Sequence, residues 1–585
     1  MGFLSRTARL HRAISKVNPA KRVCELLESR LLLAAQPYSW SDAAIGAGGF
    51  LDGVFFDPHN SGVMYARTDI GGLYKSTNGG NNWKPLLDFV GNNAASSGNS
   101  TQGGDMQVLS FALDPENSNN LYALVGSAVL FSTNAGATWG IDNLPFSVNG
   151  NGAGRATGER IAVDPNDSNI VLVGSNVANG LFESTNAGHS FTQVASFPTT
   201  NPITFIQFNP YGGTPGSPTQ NIFVGQQNNT TGSNIYQTTN GGTSWTQIAN
   251  TAGPASLYPM RASFDSTNDG NIYFTYSNQI PPEGTIGNNG GVWRYNLNSA
   301  TWANITPTIV GSQTTSEFVG LGVDAENPGT IVVTTFDHYN GGDFIFRTTN
   351  ANAATPTWTS LFGGNNTRNT SQAQYVAAFG DGIGNWAATT AIDPFNPAHI
   401  VYGTGQGLWT TLIGNSSTTL TAANSWQFLD NGIDFTAVIN LSSGAPSGAP
   451  LFSAVGDING FAHSTLTSSP ASGAILPGGS IGNMTSVDFA GTNPNLDAVV
   501  GTTGSRDGGF STNDGLTWTE FAAKPAGSGG TVAVTSSGGT SMTIVWAPTN
   551  RAPSWSTNNG TTWTAATGGM PTGGQVFADR ITPGD

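Results

Sequence analysis

Two aspartates stand at matching positions in two distant stretches of the chain. Asp69 lies in the run Arg-Thr-Asp-Ile-Gly-Gly at 67–72, and Asp457 lies in the run Val-Gly-Asp-Ile-Asn-Gly at 455–460. Each follows an apolar, strand-like run, precedes a glycine that permits close approach of a ligand, and is followed seven residues later by a Ser-Thr pair. Two carboxylates that face each other across a cleft can act as acid and as base or nucleophile in glycoside hydrolysis. The alternative is that both are turn aspartates that close equivalent hairpins.

An eight-residue pattern, Ser-Thr-Asn-x-Gly-x-Thr-Trp, recurs along the chain and indicates which elements position the two aspartates. Its clearest copies begin at Ser76, Ser132, Ser184, Thr238, Ser511 and Ser556. Repeats of about 45–55 residues that contain several short strands are typical of β-propeller blades. Asn and Gly tolerate the left-handed backbone of a tight turn, so the pattern predicts a structural hairpin closed by a packed Trp. A ligand or calcium site at each Asn is the less favoured interpretation.

The repeats divide into two series. With degenerate copies included, seven units precede residue 430, and a second series of three units begins with the Asp457 run. A closed propeller needs at least four blades. We therefore predict an all-β protein with two tandem β-propellers, a seven-bladed one at 37–430 and a second at 431–585. The second propeller is expected to be incomplete, with about three blades in a C-terminally truncated chain.

Composition and charge exclude several classes of protein. Only 9% of the 585 residues are charged, which leaves little material for long surface helices, and no run of 18 apolar residues predicts a membrane span. Beyond residue 36 the chain carries 13 basic and 33 acidic residues, a balance that would repel nucleic acid. The six His show no metal-ligand spacing and the one cysteine is Cys24, so we predict no metal and no cofactor.

Residues 1–36 differ from the rest of the chain. They carry seven Lys or Arg against two Glu and include a Leu-rich run at 26–35 that ends in two Ala. This pattern predicts an export or sorting segment of bacterial type, and therefore an extracellular or cell-surface protein. An ordinary amphipathic N-terminal helix is the alternative.

Several motifs resemble glycoside hydrolase family 74, the xyloglucanases. They include Tyr-Ala-Arg-Thr-Asp-Ile-Gly-Gly at 65–72, Gly-Glu-Arg-Ile-Ala-Val-Asp-Pro-Asn at 158–166, and Ser-Ala-Val-Gly-Asp-Ile at 453–458. The resemblance implies two seven-bladed propellers that cleave the β-1,4-glucan backbone of xyloglucan with inversion. It makes Asp69 the general base and Asp457 the general acid. The polysaccharide is then the partner of the chain, and we expect a monomer at full length.

The chain departs from the family where sugar rings would stack. It has Phe-Asp-His-Tyr-Asn at 336–340 where the family places a pair of Trp, and Tyr339 is the residue there that retains an aromatic platform. Trp386 lies outside any repeat and is a second candidate platform, with a core Trp between blades as the alternative. Both are predicted substrate-binding residues.

Three further polar residues leave alternatives open. Glu159 and Arg160 are expected either to contact sugar hydroxyls or to form a buried ion pair. His463 is expected to border the cleft or, more simply, to lie in a surface hairpin.

Two other functions compete with the hydrolase. A non-catalytic or weakly active propeller that binds carbohydrate or protein at the cell surface is favoured by the missing Trp pair. A sialidase is favoured only by the repeated turns, because it would need an arginine cluster and a Tyr nucleophile, and only ten Arg lie beyond residue 36.

Overall fold

The computed structural model describes residues 42–46, 48–87, 107–229, 234–248, 256–281, 289–308, 316–337, 342–361, 367–378, 384–411, 425–443, 448–476, 483–502 and 505–580. The chain divides into two compact units, 1–42 and 43–585, and Asp42 is the one described residue of the first. The predicted export segment at 1–36 lies outside the described residues. Within the described part of the chain, no helix is long and apolar enough to cross a membrane.

The described residues form ten sheets, and seven of these precede residue 430. The first four contain β1 (Leu51–Phe56), β2 (Met64–Thr68), β3 (Leu73–Ser76) and β4 (Lys84–Pro85); β5 (Val108–Asp114), β6 (Asn117–Val125), β7 (Ala128–Ser132) and β8 (Gly140–Asn143); β9 (Ile161–Val163), β10 (Val171–Gly174), β11 (Leu181–Ser184) and β12 (Thr192–Gln193); and β13 (Ile203–Phe208), β14 (Ile222–Gln226), β15 (Ile235–Thr238) and β16 (Thr246–Gln247). The next two contain β17 (Tyr258–Phe264), β18 (Asn271–Ser277), β19 (Gly290–Asn296) and β20 (Thr301–Asn304); and β21 (Phe318–Val323), β22 (Ile331–Thr335), β23 (Ile345–Thr348) and β24 (Thr359–Ser360).

The seventh sheet contains β25 (Thr367–Asn369), β26 (Thr389–Asp393), β27 (Asn396–Thr404), β28 (Gly407–Thr411) and β29 (Ser425–Phe428), and a 3-10 helix (Gln374–Ala378) follows β25. The last three sheets contain β30 (Val438–Ser443), β31 (Leu451–Val455) and β32 (Gly460–His463); β33 (Met484–Ala490), β34 (Asn493–Gly501), β35 (Gly508–Ser511) and β36 (Thr519–Glu520); and β37 (Thr531–Thr535), β38 (Thr543–Ala547), β39 (Ser554–Ser556) and β40 (Thr564–Ala565). Neighbouring strands are antiparallel in all ten, apart from β25 beside β29. The all-β prediction is confirmed.

The repeated eight-residue pattern forms the turn between the third and fourth strands of six sheets. In each copy the hydroxyl of the first residue accepts a bond from the backbone N–H four residues later, as Ser132 does from Gly136 at 2.9 Å. The side-chain oxygen of the Asn accepts another backbone N–H, as Asn134 does from Thr138 at 2.8 Å. These Asn side chains therefore satisfy the turn itself.

Contacts between edge strands connect consecutive sheets. Strands β5, β9, β13, β17, β21 and β26 contact one another in that order, and β1 contacts β26 and β27 of the seventh sheet. The Trp83 indole N–H donates to the Leu429 carbonyl at 2.9 Å, which links the first sheet to the segment after the seventh. One hydrophobic core contains residues of the first, seventh and eighth sheets, among them Leu51, Trp409 and Val455. The candidate site lies at this junction.

Candidate active site

A cavity of about 500 Å³ opens at the junction of the first, seventh and eighth sheets. Asp69, Asp457 and Trp386, three of the four residues that the sequence predicts for the site, line it together. The fourth, Tyr339, lies outside the described residues. Three turns line the cavity: that of Asp69 between β2 and β3, that of Gln406 between β27 and β28, and that of Asp457 between β31 and β32. Equivalent positions in the repeats thus bring the two aspartates into one cavity.

Asp69 directly follows β2, in a turn that its neighbours hold closed. The Thr68 N–H donates to the Gly72 carbonyl at 3.0 Å, and the Gly71 N–H donates to the Thr68 hydroxyl at 2.8 Å. Gly71 packs so closely on Phe435 that a Cβ there would lie 2.0 Å from the phenylalanine Cβ. A side chain at position 71 would therefore displace the turn that carries Asp69.

The Asp69 carboxyl is buried and holds one cationic partner. Its Oδ2 accepts a bond from the Arg155 Nε at 3.1 Å, whereas its buried Oδ1 has no hydrogen-bond partner among the described residues. Burial raises the pKa of Asp69 from 3.8 to about 6, because loss of water disfavours the charged form. Arg155 opposes this rise, and the nearby Asp457 adds to it. A carboxyl with this pKa is mostly ionised at neutral pH and is a stronger base than an ordinary aspartate.

Asp457 follows β31 in a left-handed turn. Its φ is 63° and that of Asn459 is 72°, a region that Asp and Asn tolerate better than most side chains. The Asp457 N–H donates to the Asn483 side-chain oxygen at 2.8 Å, and the Asn459 amide donates to the carbonyls of Ile475 and Leu476 at 2.9 and 2.7 Å. The turn is held from both sides while the Asp457 residue itself is exposed.

Trp386 precedes β26 and is half-buried in the wall of the cavity. Its indole N–H donates to Asp337 Oδ1 at 2.7 Å, and its ring stacks on Phe336 with an interplanar angle of 13°. Phe50 meets it edge to face at a centroid distance of 5.4 Å. Trp386 therefore packs against neighbouring aromatic rings and also borders the cavity, so the two sequence interpretations both describe part of its environment.

The neighbouring strand positions hold a buried charge network. Arg67, on β2, contacts Asp52 at 2.8 Å and Glu159 at 2.9 Å, and its side chain is completely buried. Glu159 also accepts bonds from the Ser110 hydroxyl at 2.7 Å and the Phe111 N–H at 2.8 Å. For Glu159 the ion-pair interpretation holds, with Arg67 as its partner in place of Arg160.

Two other expectations are corrected by burial. Arg160 is fully buried and donates to the carbonyls of Gly154 and Ile203, each at 2.6 Å, so it supports the backbone and cannot reach a sugar. His463 is fully buried in β32, where its Nε2 lies 3.0 Å from the Ser453 hydroxyl. Burial lowers the pKa of His463 to about 4. It therefore lies neither at the cleft nor in a surface hairpin.

Sequence reasoning did not single out Arg155, Asn151, Asn385 or Gln406, which all line the cavity. Two features of the sequence could have pointed to Arg155. It is a rare cation in an acidic chain, and it stands in the glycine-rich run just before the Gly-Glu-Arg motif at 158–160.

Comparison with known proteins agrees with this architecture and these motifs, although no protein-family model matches the chain. The chain is 34% identical to a xyloglucanase of a Paenibacillus species, over 94% of this chain and 56% of that protein. It is 33% identical to a xyloglucanase of Hypocrea jecorina, over 96% of this chain and 70% of that protein. The chain belongs to glycoside hydrolase family 74. A solved family 74 xyloglucanase from Xanthomonas campestris superposes with a TM-score of 0.81 and 30% identity, over 93% of this chain and 77% of the other.

The raised pKa of Asp69 in this family 74 chain predicts a pH-dependent stability. The folded state holds the Asp69 proton up to a pH of about 6, whereas the unfolded chain releases it near 3.8. Wild-type stability from this group is therefore lost as the pH rises from about 4 to 6. Asp69→Asn removes that loss, so its free energy of unfolding should rise relative to the wild type by roughly 2–3 kcal/mol between pH 4 and 7.5.

Urea denaturation of both proteins at the two pH values measures this change. The exposed Glu116→Gln is the matched control and should show no such change. A constant difference between Asp69→Asn and the wild type would contradict the burial of an ionisable Asp69.

Proposed function

We propose that this chain is a glycoside hydrolase that cleaves the β-1,4-glucan backbone of xyloglucan by an inverting, two-carboxylate mechanism. The observation that carries the proposal is that Asp69 and Asp457, from two different sheets, line one cavity. The relatives support the substrate, since three proteins of similar sequence or structure are xyloglucanases. The chain spans 56% of the length of the Paenibacillus relative, so activity and substrate are proposed for the part of the fold that it contains.

The two environments support different roles for the two aspartates. Asp69 is buried and its Oδ2 is held by Arg155, which fixes the orientation of the carboxylate as a general base requires. Asp457 is exposed in the free protein. As general acid, Asp457 would stand beside the leaving-group oxygen of a glucan chain bound in the cavity. Inversion then requires the two carboxyls to stand about 6.5–9.5 Å apart, with the water between base and sugar.

The arrangement of the sheets supports the proposed domains. We take the seven sheets between β1 and β29 as the blades of a first propeller, within 37–430, because each contacts the next and the first contacts the seventh. The sheets that begin at β30, β33 and β37 would belong to a second propeller, within 431–585. Export through residues 1–36 and a monomeric state are part of the same proposal.

Aromatic side chains would bind the sugar rings beside the two carboxyls. Trp386 is the described candidate, because its flat ring borders the cavity and is fixed in orientation by Asp337 and Phe336. Tyr339 follows Asp337 by two residues in sequence and is proposed as a second platform. Pre-oriented rings bind at a low cost in side-chain entropy.

Replacing either aspartate by asparagine tests the proposal. Asp69→Asn and Asp457→Asn keep the side-chain shape and remove proton transfer, so each should lower kcat on xyloglucan by about 10²–10⁴-fold while substrate binding is retained. Reducing-sugar release and isothermal titration calorimetry with xyloglucan measure the two quantities.

Glu116→Gln makes the same chemical change at an exposed position and should cleave like the wild type. Near-wild-type cleavage by Asp457→Asn would contradict the assignment. Binding of xyloglucan without cleavage by the wild type would favour the non-catalytic carbohydrate-binding propeller.

Replacing Trp386 tests the sugar platform. Trp386→Ala removes the ring and should raise KM for xyloglucan roughly tenfold, which corresponds to about 1.4 kcal/mol of lost binding, with kcat less affected. Trp386→Phe keeps a flat ring but loses the bond to Asp337, so its KM should lie between those of the wild type and Trp386→Ala. Trp555→Ala removes an exposed Trp from β39 and is the control. An unchanged KM in Trp386→Ala would assign this residue to packing alone.

A further inference from the structure

Arg155 lies in the connection between β8 and β9 and is the basic side chain that contacts Asp69 in the cavity. Its Nε donates to Asp69 Oδ2 at 3.1 Å, and its Nη1 donates to the carbonyls of Asn151 and Gly152 at 3.4 and 3.3 Å. The side chains of Arg155 and Asp69 are only 12% and 9% exposed. Ion pairs at such depth are screened by water far less than surface pairs.

Two aromatic rings flank the guanidinium group. Its central carbon lies 5.6 Å from the centroid of Phe50 and 5.9 Å from that of Trp386, within the range of cation–π attraction. Arg155 therefore contacts both a catalytic candidate and a candidate sugar platform. The rings also restrict where the guanidinium can move.

The backbone that carries Arg155 is held by buried groups. The Arg160 guanidinium donates to the Gly154 carbonyl at 2.6 Å, and the Asn176 amide donates to the Ala153 carbonyl at 3.3 Å. The Arg67 guanidinium donates to the carbonyl of Arg155 itself at 3.5 Å. The connection is thus fixed relative to β2, the strand that Asp69 directly follows.

We infer that Arg155 is a positioning residue that holds the Asp69 carboxylate ionised and oriented in the cavity. Without a cation, burial and the negative charge of Asp457 would both favour protonation of Asp69. The neighbouring Arg67 is directed to Asp52 and Glu159. Among the described residues, Arg155 is the cation that contacts Asp69 and favours its ionised form. The catalytic part of this inference rests on the proposed function, whereas the effect of Arg155 on the ionisation of Asp69 does not.

The test compares Arg155→Met, Arg155→Gln and Arg155→Lys with the wild type. An adjacent arginine lowers the pKa of an aspartate by about 1–3 units. Loss of the charge in the Met and Gln variants should therefore move the acidic limb of the kcat/KM profile on xyloglucan upward by about one pH unit or more. Arg155→Lys keeps the charge and should shift less. Arg551→Met removes an exposed arginine and should leave the profile unchanged.

A second readout does not depend on activity. Asp69→Asn gains stability over the protein that keeps Asp69 within a certain pH window. This window should move upward when both proteins also carry Arg155→Met. If the Met variant does not fold, Arg155→Gln serves for the same comparison. An unshifted window and an unshifted limb would overturn the inference, because a purely structural Arg155 would lower stability without moving either. If the wild type does not cleave xyloglucan but the stability window still shifts in the Arg155 variants, the proposed function is overturned and the role of Arg155 remains.

Discussion

The rest of the site depends on the buried ion pairs of the Arg67 guanidinium. It lies on β2, two residues before Asp69, and joins that strand to Asp52 on β1 and to Glu159 just before β9. It also bonds to the Val108 carbonyl at 3.3 Å and to the carbonyl of Arg155. Removing one partner of a buried ion pair costs about 3–5 kcal/mol, since it leaves an uncompensated charge. One side chain thus connects the first three sheets directly beneath the candidate base.

The two aspartates are presented in physically different ways. Asp69 stands in a buried turn with a cation bound to one oxygen, whereas Asp457 stands exposed in a left-handed turn held through its backbone and by Asn459. The repeat supplies equivalent positions, and the surroundings of each position supply the asymmetry.

Local and periodic features could be predicted from the sequence. The matching motifs predicted that each aspartate follows a strand at an equivalent position, and the two aspartates do follow strands and line one cavity. The repeated turn could be predicted because the Ser, Asn and Gly that its hydrogen bonds and backbone conformation require all lie within eight residues of sequence.

Long-range pairing could not be predicted in the same way. The partner of Glu159 is Arg67, 92 residues earlier, whereas the adjacent Arg160 is directed at backbone carbonyls. Arg155 lies in a connection outside the repeats, so no period relates it to Asp69, 86 residues away. The prediction for His463 was wrong because its position beside a turn in the sequence does not reveal that its strand is buried.

The configuration of the first product tests the central claim most directly. In the proposed inverting reaction, water held by Asp69 would attack the face of the sugar opposite the bond that Asp457 would protonate. Proton NMR during the first minutes of xyloglucan cleavage should therefore show the new reducing end as the α anomer, with the β anomer appearing later by mutarotation. Initial release of the β anomer would contradict the opposed acid and base, because it would require a covalent intermediate on one of the two carboxyls.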